Sequence, residues 1–424
     1  MKVGIIGAGF VGLAAGYRLA KAGFNVNIFE SEGTPGGLAQ GFKEPEWKWS
    51  LEKHYHHLFK SDRHISNLAE EVGQEIDFRK VKTSTFIKGN SYQLDSLLTL
   101  LSFPKLTITD RLRTGLILAY LRFTSDWKSL EKISSKEFLI KFMGKKSWEI
   151  LWKPLFEKKF DCYADQIPAS WFWARLKVRS RQLGYPESGF LSFAKHLDRL
   201  IHYNKGRIFY KTRIESIKKV KDKLILGSSK ESYEFDAVIC TLCSQLFIRI
   251  AKDLPSNYIK SLMALEGIGA VTLLVSLNRK YLTDDTYWLN VSEAHFPFLA
   301  IVEHTNFIDK VNYNDEHLVY IGNYLPYGHR YFSKDAVEIF REFFPYLKTI
   351  NPKFDKSWVN KLYLFKTPFA QPVVTLNYSQ NLPTFKTPVK GLYLCNIQQV
   401  YPWDRGTNYA VELGENVTDL VLKS

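Results

Sequence analysis

Three glycines and one carboxylate carry the most specific chemistry in this sequence. Gly7, Gly9 and Gly12 fall in IIGAGFVG at GxGxxG spacing, and Glu30 ends the run NVNIFE. Gly7 permits a tight turn, Gly9 lets the backbone approach a pyrophosphate, and Gly12 lets the following helix pack on the preceding strand. Ala8, Phe10 and Val11 complete the turn, whose opening N–H groups and positive dipole end favour phosphate. Glu30, followed by Ser31, stands where a carboxylate accepts hydrogen bonds from an adenosine ribose. NAD and FAD share that ribose, so Glu30 leaves both open.

A second cluster lies in LEKHYHHLFKSD, where His54, His56 and His57 occupy three of four positions. Read as a strand running into a loop, the segment turns His54 and His56 to one face and His57 to the other. Three convergent metal ligands are not expected from that geometry, and no carboxylate or Cys stands at ligand spacing, so no metal is expected. His57 is read as a catalytic residue in a pocket wall, close to the cofactor, where it tunes the cofactor's electronics or contacts substrate. The four cysteines make no disulfide framework in a chain of 424 residues. Cys240 and Cys243 close the apolar run FDAVIC and read as a buried strand end.

The elements that must hold these groups are legible around them. KVGII suits a buried parallel strand, the next stretch with Ala14, Ala15 and Gly16 suits a packed helix, and NVNIFE suits a second strand. A further pair, Gly36 and Gly37, lets the chain cross close to a long extended cofactor. This block resembles the flavoprotein superfamily of amine oxidases, protoporphyrinogen oxidase, phytoene-type desaturases and UDP-galactopyranose mutase. The resemblance implies FAD as cofactor and a single dinucleotide site, with Leu38 standing where relatives usually carry Arg after the glycine pair. Residues 206–241 match the same superfamily, which implies the backbone of Ile214 beside the adenine end. GLYLCN and GTNYAVELGENVTDLVLKS match as its last strand and closing helix. By that resemblance Gly406, Thr407, Asn408 and Tyr409 open a helix toward the flavin pyrimidine, and Asn396 stands where an Asp commonly meets the ribityl chain. His57 and Phe59 match the His-x-Phe-His-Thr segment of UDP-galactopyranose mutase, with Lys60 in place of its second histidine.

The fold expected is α/β: a Rossmann-type FAD-binding domain with a parallel sheet, a helical insert and an antiparallel β substrate domain. The FAD-binding domain is read from residues 1–90, 188–255 and 385–424, the insert from 91–187, and the substrate domain from 256–384. His304 and Tyr324, polar among apolar strands, are read as substrate-binding. In YPWDRGTNYAVELG, Asp404 is expected to cap the closing helix. Arg405 is then expected beside the pyrimidine end as a catalytic residue, where a fixed positive charge favours reduced flavin.

Composition bounds the partners. Lys and Arg number 58 against 43 Asp and Glu, a net charge of +15. Residues 96–128 and 136–182 carry nine of those fifteen charges. A basic helical insert rich in Leu, Phe and Trp suits an anionic membrane surface. No helix-turn-helix, zinc-finger or RNP signature accompanies the charge, so nucleic acid is not expected. No leader and no membrane span are read, and the protein is expected in the cytoplasm, peripheral at the inner membrane face. The function expected is an FAD-dependent oxidoreductase that moves a hydride from a bulky, apolar small molecule to flavin. The alternative is a redox-neutral, flavin-dependent nucleotide-sugar mutase.

Overall fold

The computed structural model describes residues 1–423. Strand β1 (Lys2–Ile6) lies at the centre of a five-stranded parallel sheet, flanked by β2 (Asn25–Phe29) and by Ala237–Cys240. Arg207–Phe209 and Leu392–Leu394 form its edges. Pairing on both sides and cover on both faces explain why KVGII is nearly continuous apolar sequence. Helix α1 (Phe10–Lys21) follows β1 directly. A side chain at Gly12 would put its Cβ 2.0 Å from the Gly7 carbonyl oxygen, so only glycine allows this strand-to-helix turn. The closing helix Thr407–Leu422 packs along α1 and α2 (Arg63–Val72). On the other flank, Phe10 meets Phe190 and Phe193 of the helix Phe190–Tyr203.

The second sheet has seven strands and is mixed. From one edge it runs Val359–Pro372, Gly267–Leu277, His317–Leu325, Ala300–Glu303, Thr286–Val291, Lys82–Ile87 and Asn90–Gln93. All neighbours pair antiparallel except Lys82–Ile87 with Thr286–Val291, which run parallel. Two strands from within residues 1–90 and its border thus belong to this sheet and not to the nucleotide-type layer. The apolar TFI of KTSTFI gains a buried partner there that the sequence pattern cannot name.

Residues between the two sheets fold as helices. Among them are α3 (Leu97–Leu101) and α4 (Ile108–Phe123), the latter capped by Thr107, whose hydroxyl accepts from the Asp110 N–H at 3.1 Å. The helices Lys153–Phe160 and Ala169–Val178 are held by an aromatic core of Trp148, Phe156, Phe160, Trp171 and Phe172. The strand Gln182–Pro186 then returns the chain toward α1.

One buried carboxylate joins the layers. Glu52, 1% exposed, accepts from the Tyr185 hydroxyl at 2.7 Å and from the Phe190 N–H at 2.9 Å, at the start of the helix Phe190–Tyr203. Its own carbonyl accepts from the hydroxyl of Tyr320, in the seven-stranded sheet. Burial outweighs these hydrogen bonds and pushes the Glu52 carboxyl up from 4.5 to about 7.

Because the folded value lies above the unfolded one, the native state holds this proton more tightly. The associated stability is complete below 4.5 and is lost as pH rises through about 7. At roughly 1.4 kcal/mol per unit, the loss is about 3 kcal/mol. Urea midpoints measured at about pH 5 and pH 8 should therefore fall less in Glu52→Gln than in the wild type. Equal falls in both proteins would show that Glu52 does not carry this dependence.

Candidate active site

The glycine turn and the Gly36–Gly37 pair meet face to face. Gly9 and Gly36 form an isolated parallel bridge, with the Gly36 N–H bonded to the Ala8 carbonyl at 2.9 Å. Gly36 and Gly37 have φ of 127° and 59°, and a Cβ on Gly37 would lie 2.9 Å from the Gly9 Cα. Glu30 follows β2 directly, 9% exposed. It accepts from the Ala8 N–H at 2.8 Å, from the Glu32 N–H at 2.9 Å and from the hydroxyl of exposed Ser31 at 3.3 Å. Helix α1 begins at Phe10 and Val11, and the closing helix at Thr407, Asn408 and Tyr409; neither has a capping side chain. The N-terminus of α1, with free first-turn donors, thus stands beside a side-chain-free cradle, a setting for a pyrophosphate, while the closing helix opens at Gly406–Tyr409 onto the wall of a cavity.

Other residues expected at a cofactor fall into two groups. Leu38 sits half-buried in the short turn Gly37–Ala39, next to the cradle. Ile214 is buried at the start of a strand paired with Ser228. Asn396 is 2% exposed and both ends of its amide are used: it accepts from the Gln398 N–H at 3.0 Å and donates to the Leu242 carbonyl at 2.9 Å. Gly406 is extended, with φ of 178°, and Asn408 accepts from the Ile65 N–H at 3.3 Å, tying the closing helix to α2.

Between Glu52 and Leu58 the histidine segment is not a strand, so the expected alternation of faces does not hold. His54 reaches the seven-stranded sheet, bonded to Thr272 and Thr367 at 2.8 Å each. His56 and His57 instead share a cavity wall with Tyr55, and His57 Nδ1 lies 3.2 Å from the Tyr287 hydroxyl. Burial pushes His57 down to about 3 and His56 to about 4, with nearby arginines adding to the effect. Both are neutral imidazoles at ordinary pH. Among the described residues no group of His, Cys, Asp and Glu is placed to hold a metal ion.

The cavity has a volume of about 830 Å³. It lies between the histidine loop, the end of the helix Ala169–Val178, strand residues Trp288, Tyr324 and Gln371, and the segment Asp404–Tyr409. Asp404 does not cap the closing helix. It accepts from Arg175 at 2.8 Å, Trp171 Nε1 at 3.2 Å, Gln371 at 3.3 Å and the Arg405 N–H at 3.1 Å. Burial alone would raise its carboxyl; Lys159, Arg175 and Arg405 outweigh it and hold Asp404 far below the usual carboxylate range. Arg405 is a wall residue, not half of a surface pair: it donates to Gln371 at 3.0 Å and to the Tyr324 hydroxyl. Burial works to raise the Tyr324 phenol, yet Arg405 and Lys159 bring it below its ordinary value.

Tyr324, His57 and Arg405 therefore come together, whereas His304 does not join them. His304 is 3% exposed, bonded to the Tyr313 hydroxyl at 2.8 Å and packed on Tyr185, away from the cavity. Lys159, Gln371, Tyr55 and Trp288 enter the wall without having been read as site residues. Only Lys159 left a signal, as a cation inside the aromatic stretch FEKKFDCYADQIPASWFW. A wholly apolar substrate does not match this lining, since contact with it would leave the Lys and Arg charges desolvated and unpaired.

A family model described as flavin containing amine oxidoreductase matches residues 10–402. The fold is that of reduced UDP-galactopyranose mutase, with a TM-score of 0.79 at 14% identity over 100% of this chain and 95% of that one. It is equally that of an Exiguobacterium sp. 255-15 protein assigned as a protoporphyrinogen oxidase, with a TM-score of 0.77 at 15% identity, covering 100% and 99% of the chains. A Klebsiella pneumoniae protein assigned as a UDP-galactopyranose mutase is 25% identical over 179 residues, 41% of this chain and 44% of that protein. The matched region thus spans less than half of that relative's length.

Glu30→Ala should lower affinity for FAD about ten- to a hundred-fold, the loss of a charge-assisted acceptor worth roughly 1.5–3 kcal/mol. Equilibrium dialysis against FAD measures it, and wild-type retention would mean that the ribose is held elsewhere.

Proposed function

The chain belongs to the flavin containing amine oxidoreductase family and uses FAD, and from that premise we propose that it oxidises a bulky small molecule drawn from an anionic membrane surface. One observation carries the reading: a single cavity runs from the uncapped start of the closing helix to the end of α4, where an apolar ridge emerges.

The residues around the cradle fit the cofactor. Gly9, Gly36 and Gly37 would meet its diphosphate with backbone alone, Glu30 its adenosine ribose, and Thr407 to Tyr409 its ring through the closing helix. When bound, FAD supplies the two-electron acceptor for a hydride leaving a C–H or C–N bond. The chain's part is orientation and exclusion of water. Tyr55 and Trp288 meet edge to face at 4.9 Å and form a rigid aromatic wall, with His57 5.8 Å from the same indole. Arg405, held by Gln371 and Tyr324, keeps a fixed positive charge two residues before the uncapped helix start.

The ridge supports the membrane source. Ile108, Leu112, Leu116, Tyr120 and Phe123 repeat on one face of α4 and are 71%, 52%, 70%, 50% and 82% exposed. Leu97 and Leu98 of α3 are also exposed. Arg111, Arg113 and Arg122 stand on the same helix, which matches anionic headgroups around an inserted apolar edge. Arg122 also donates to the carbonyls of Leu176, Lys177 and Arg179, so the ridge ends at the cavity wall. Among the described residues no helix is long and apolar enough to cross a membrane.

A redox-neutral mutase is the second reading, favoured by the basic cavity lining. Anaerobic bleaching of the bound FAD separates the two. A small-molecule and lipid extract of producing cells should bleach it stoichiometrically with no NADPH added. Turnover only after dithionite reduction, with no net redox change, would replace the oxidoreductase reading with the mutase.

Leu112→Glu with Leu116→Glu should weaken sedimentation with phosphatidylglycerol-containing vesicles at least about a hundred-fold, since each buried Leu contributes roughly 1.5–3 kcal/mol. Vesicle binding equal to the wild type would overturn the membrane assignment. So would a double variant that merely turns a dimer into a monomer.

A further inference from the structure

The floor of the cavity holds three cations and one carboxylate. Arg175 pairs with Asp404 at 2.8 Å. Arg405 is bonded to neutral Gln371 and Tyr324. Lys159 is 4% exposed, and among the described residues its ammonium meets only aromatic rings: Tyr324 at 4.3 Å, Trp171 at 5.6 Å and Phe160 at 5.7 Å from their centroids. Asp404 therefore balances only one of three positive charges in a part-buried wall, which leaves an excess of two. Cation–π contact recovers part of the lost hydration of such a charge, not all of it. Packing does not require the Lys159 charge, because an apolar side chain would fill the same aromatic cage. The mouth carries the same sign, with Arg122, Arg179 and Arg181 exposed around it. Of the remaining acids in the lining, Asp62 is occupied by the Phe59 N–H at 2.9 Å, and Asp95 is half-buried.

We propose that Lys159, Arg175 and Arg405 form the recognition subsite for a doubly negative group on the substrate, a phosphate or diphosphate ester, and that the cavity rejects cationic amines. This rests on reading the cavity as the substrate chamber. The charge balance sets the class: three cations against Asp404 leave room for two negative charges, more than one carboxylate brings. Planar guanidinium donors suit bidentate phosphate contacts, and the lysine adds a compact point charge. The basic mouth would raise the local concentration of an anion and repel an amine. The phosphate can belong to a soluble ester or to a lipid.

The test uses the purified FAD-loaded protein, with inorganic pyrophosphate as probe and calorimetric titration as readout. Saturable binding is expected, at least about tenfold tighter than acetate, with no binding of putrescine. Lys159→Met and Arg175→Gln should each weaken pyrophosphate about ten- to a hundred-fold while FAD content stays unchanged, which also reports that they fold. Lys159, faced by Tyr324, Asp404, Arg175 and Arg405, is pushed down by burial to about 8. Wild-type affinity should accordingly fall as pH rises through about 8, a step absent from Lys159→Met. Decyl phosphate binding more than about tenfold tighter than inorganic phosphate would assign a lipid ester, and equal affinities a soluble one. No saturable pyrophosphate binding, wild-type affinity in both variants, or competitive putrescine binding would each overturn the proposal. Pyrophosphate binding with a flavin that no extract bleaches would sink the oxidoreductase reading alone. Bleaching by an extract with no pyrophosphate binding would sink the subsite alone.

Discussion

Asp404 is the interaction on which the site's architecture depends. Among the described residues it is the one carboxylate bonded to a cation of the cavity floor, and four donors converge on it from three directions. Arg175 and Trp171 come from the helix Ala169–Val178, Gln371 from the edge strand of the seven-stranded sheet, and the Arg405 N–H from its own segment. Insert, sheet and closing helix are therefore held to one point. Removing that charge would leave Lys159, Arg175 and Arg405 facing one another in a part-buried wall, an arrangement that costs several kcal/mol per unpaired ion. The cluster explains why Asp404 is not available to cap the helix that starts three residues later.

Keeping that helix uncapped has its own consequence. Gly406 precedes Thr407 with no side chain to satisfy the first-turn donors, and α1 begins in the same way after Gly9. Free donors at a helix start normally cost stability unless something accepts from them. Here the α1 start borders the cradle of Gly9, Gly36 and Gly37, where backbone meets backbone with no intervening side chain, and the closing helix starts at the cavity wall. Helix ends left open in this way are stabilised when a ligand accepts from them, the part we propose for FAD.

Glu52 performs the joining role on the opposite side of the histidine loop. It takes the start of the helix Phe190–Tyr203 with its carboxyl and the seven-stranded sheet with its carbonyl. Between Glu52 and Leu58 the chain has no ladder to follow, so each histidine goes to whichever layer offers a partner. His54 finds two threonines of the sheet, and His57 finds Tyr287. Burial lowers both imidazoles and keeps them neutral in the wall.

The sequence by itself determined the local devices: the GxGxxG turn, Glu30 at the strand end, the parallel strands and the closing helix. Each is a contact between residues near in sequence or a periodicity in one element, and such constraints need no knowledge of the rest of the chain. The concentration of basic charge in residues 96–182 was legible for the same reason, as was the helical character of that stretch. What only the tertiary structure decided is which of those charges face inward. Lys159 and Arg405 are 246 positions apart, and their shared wall exists because the helix Lys153–Phe160 packs against Tyr324 of the second sheet. The same holds for Asp404, whose neighbours on the chain suggest a helix cap, while two indole and guanidinium donors from residues 171 and 175 claim it in space. His304 was misread for the converse reason: a polar residue among apolar strands looks like a site, but its hydrogen bond to Tyr313 forms inside the core. Electrostatic partnership in a folded protein is set by distance through space, which sequence spacing encodes only within a helix, a turn or a strand.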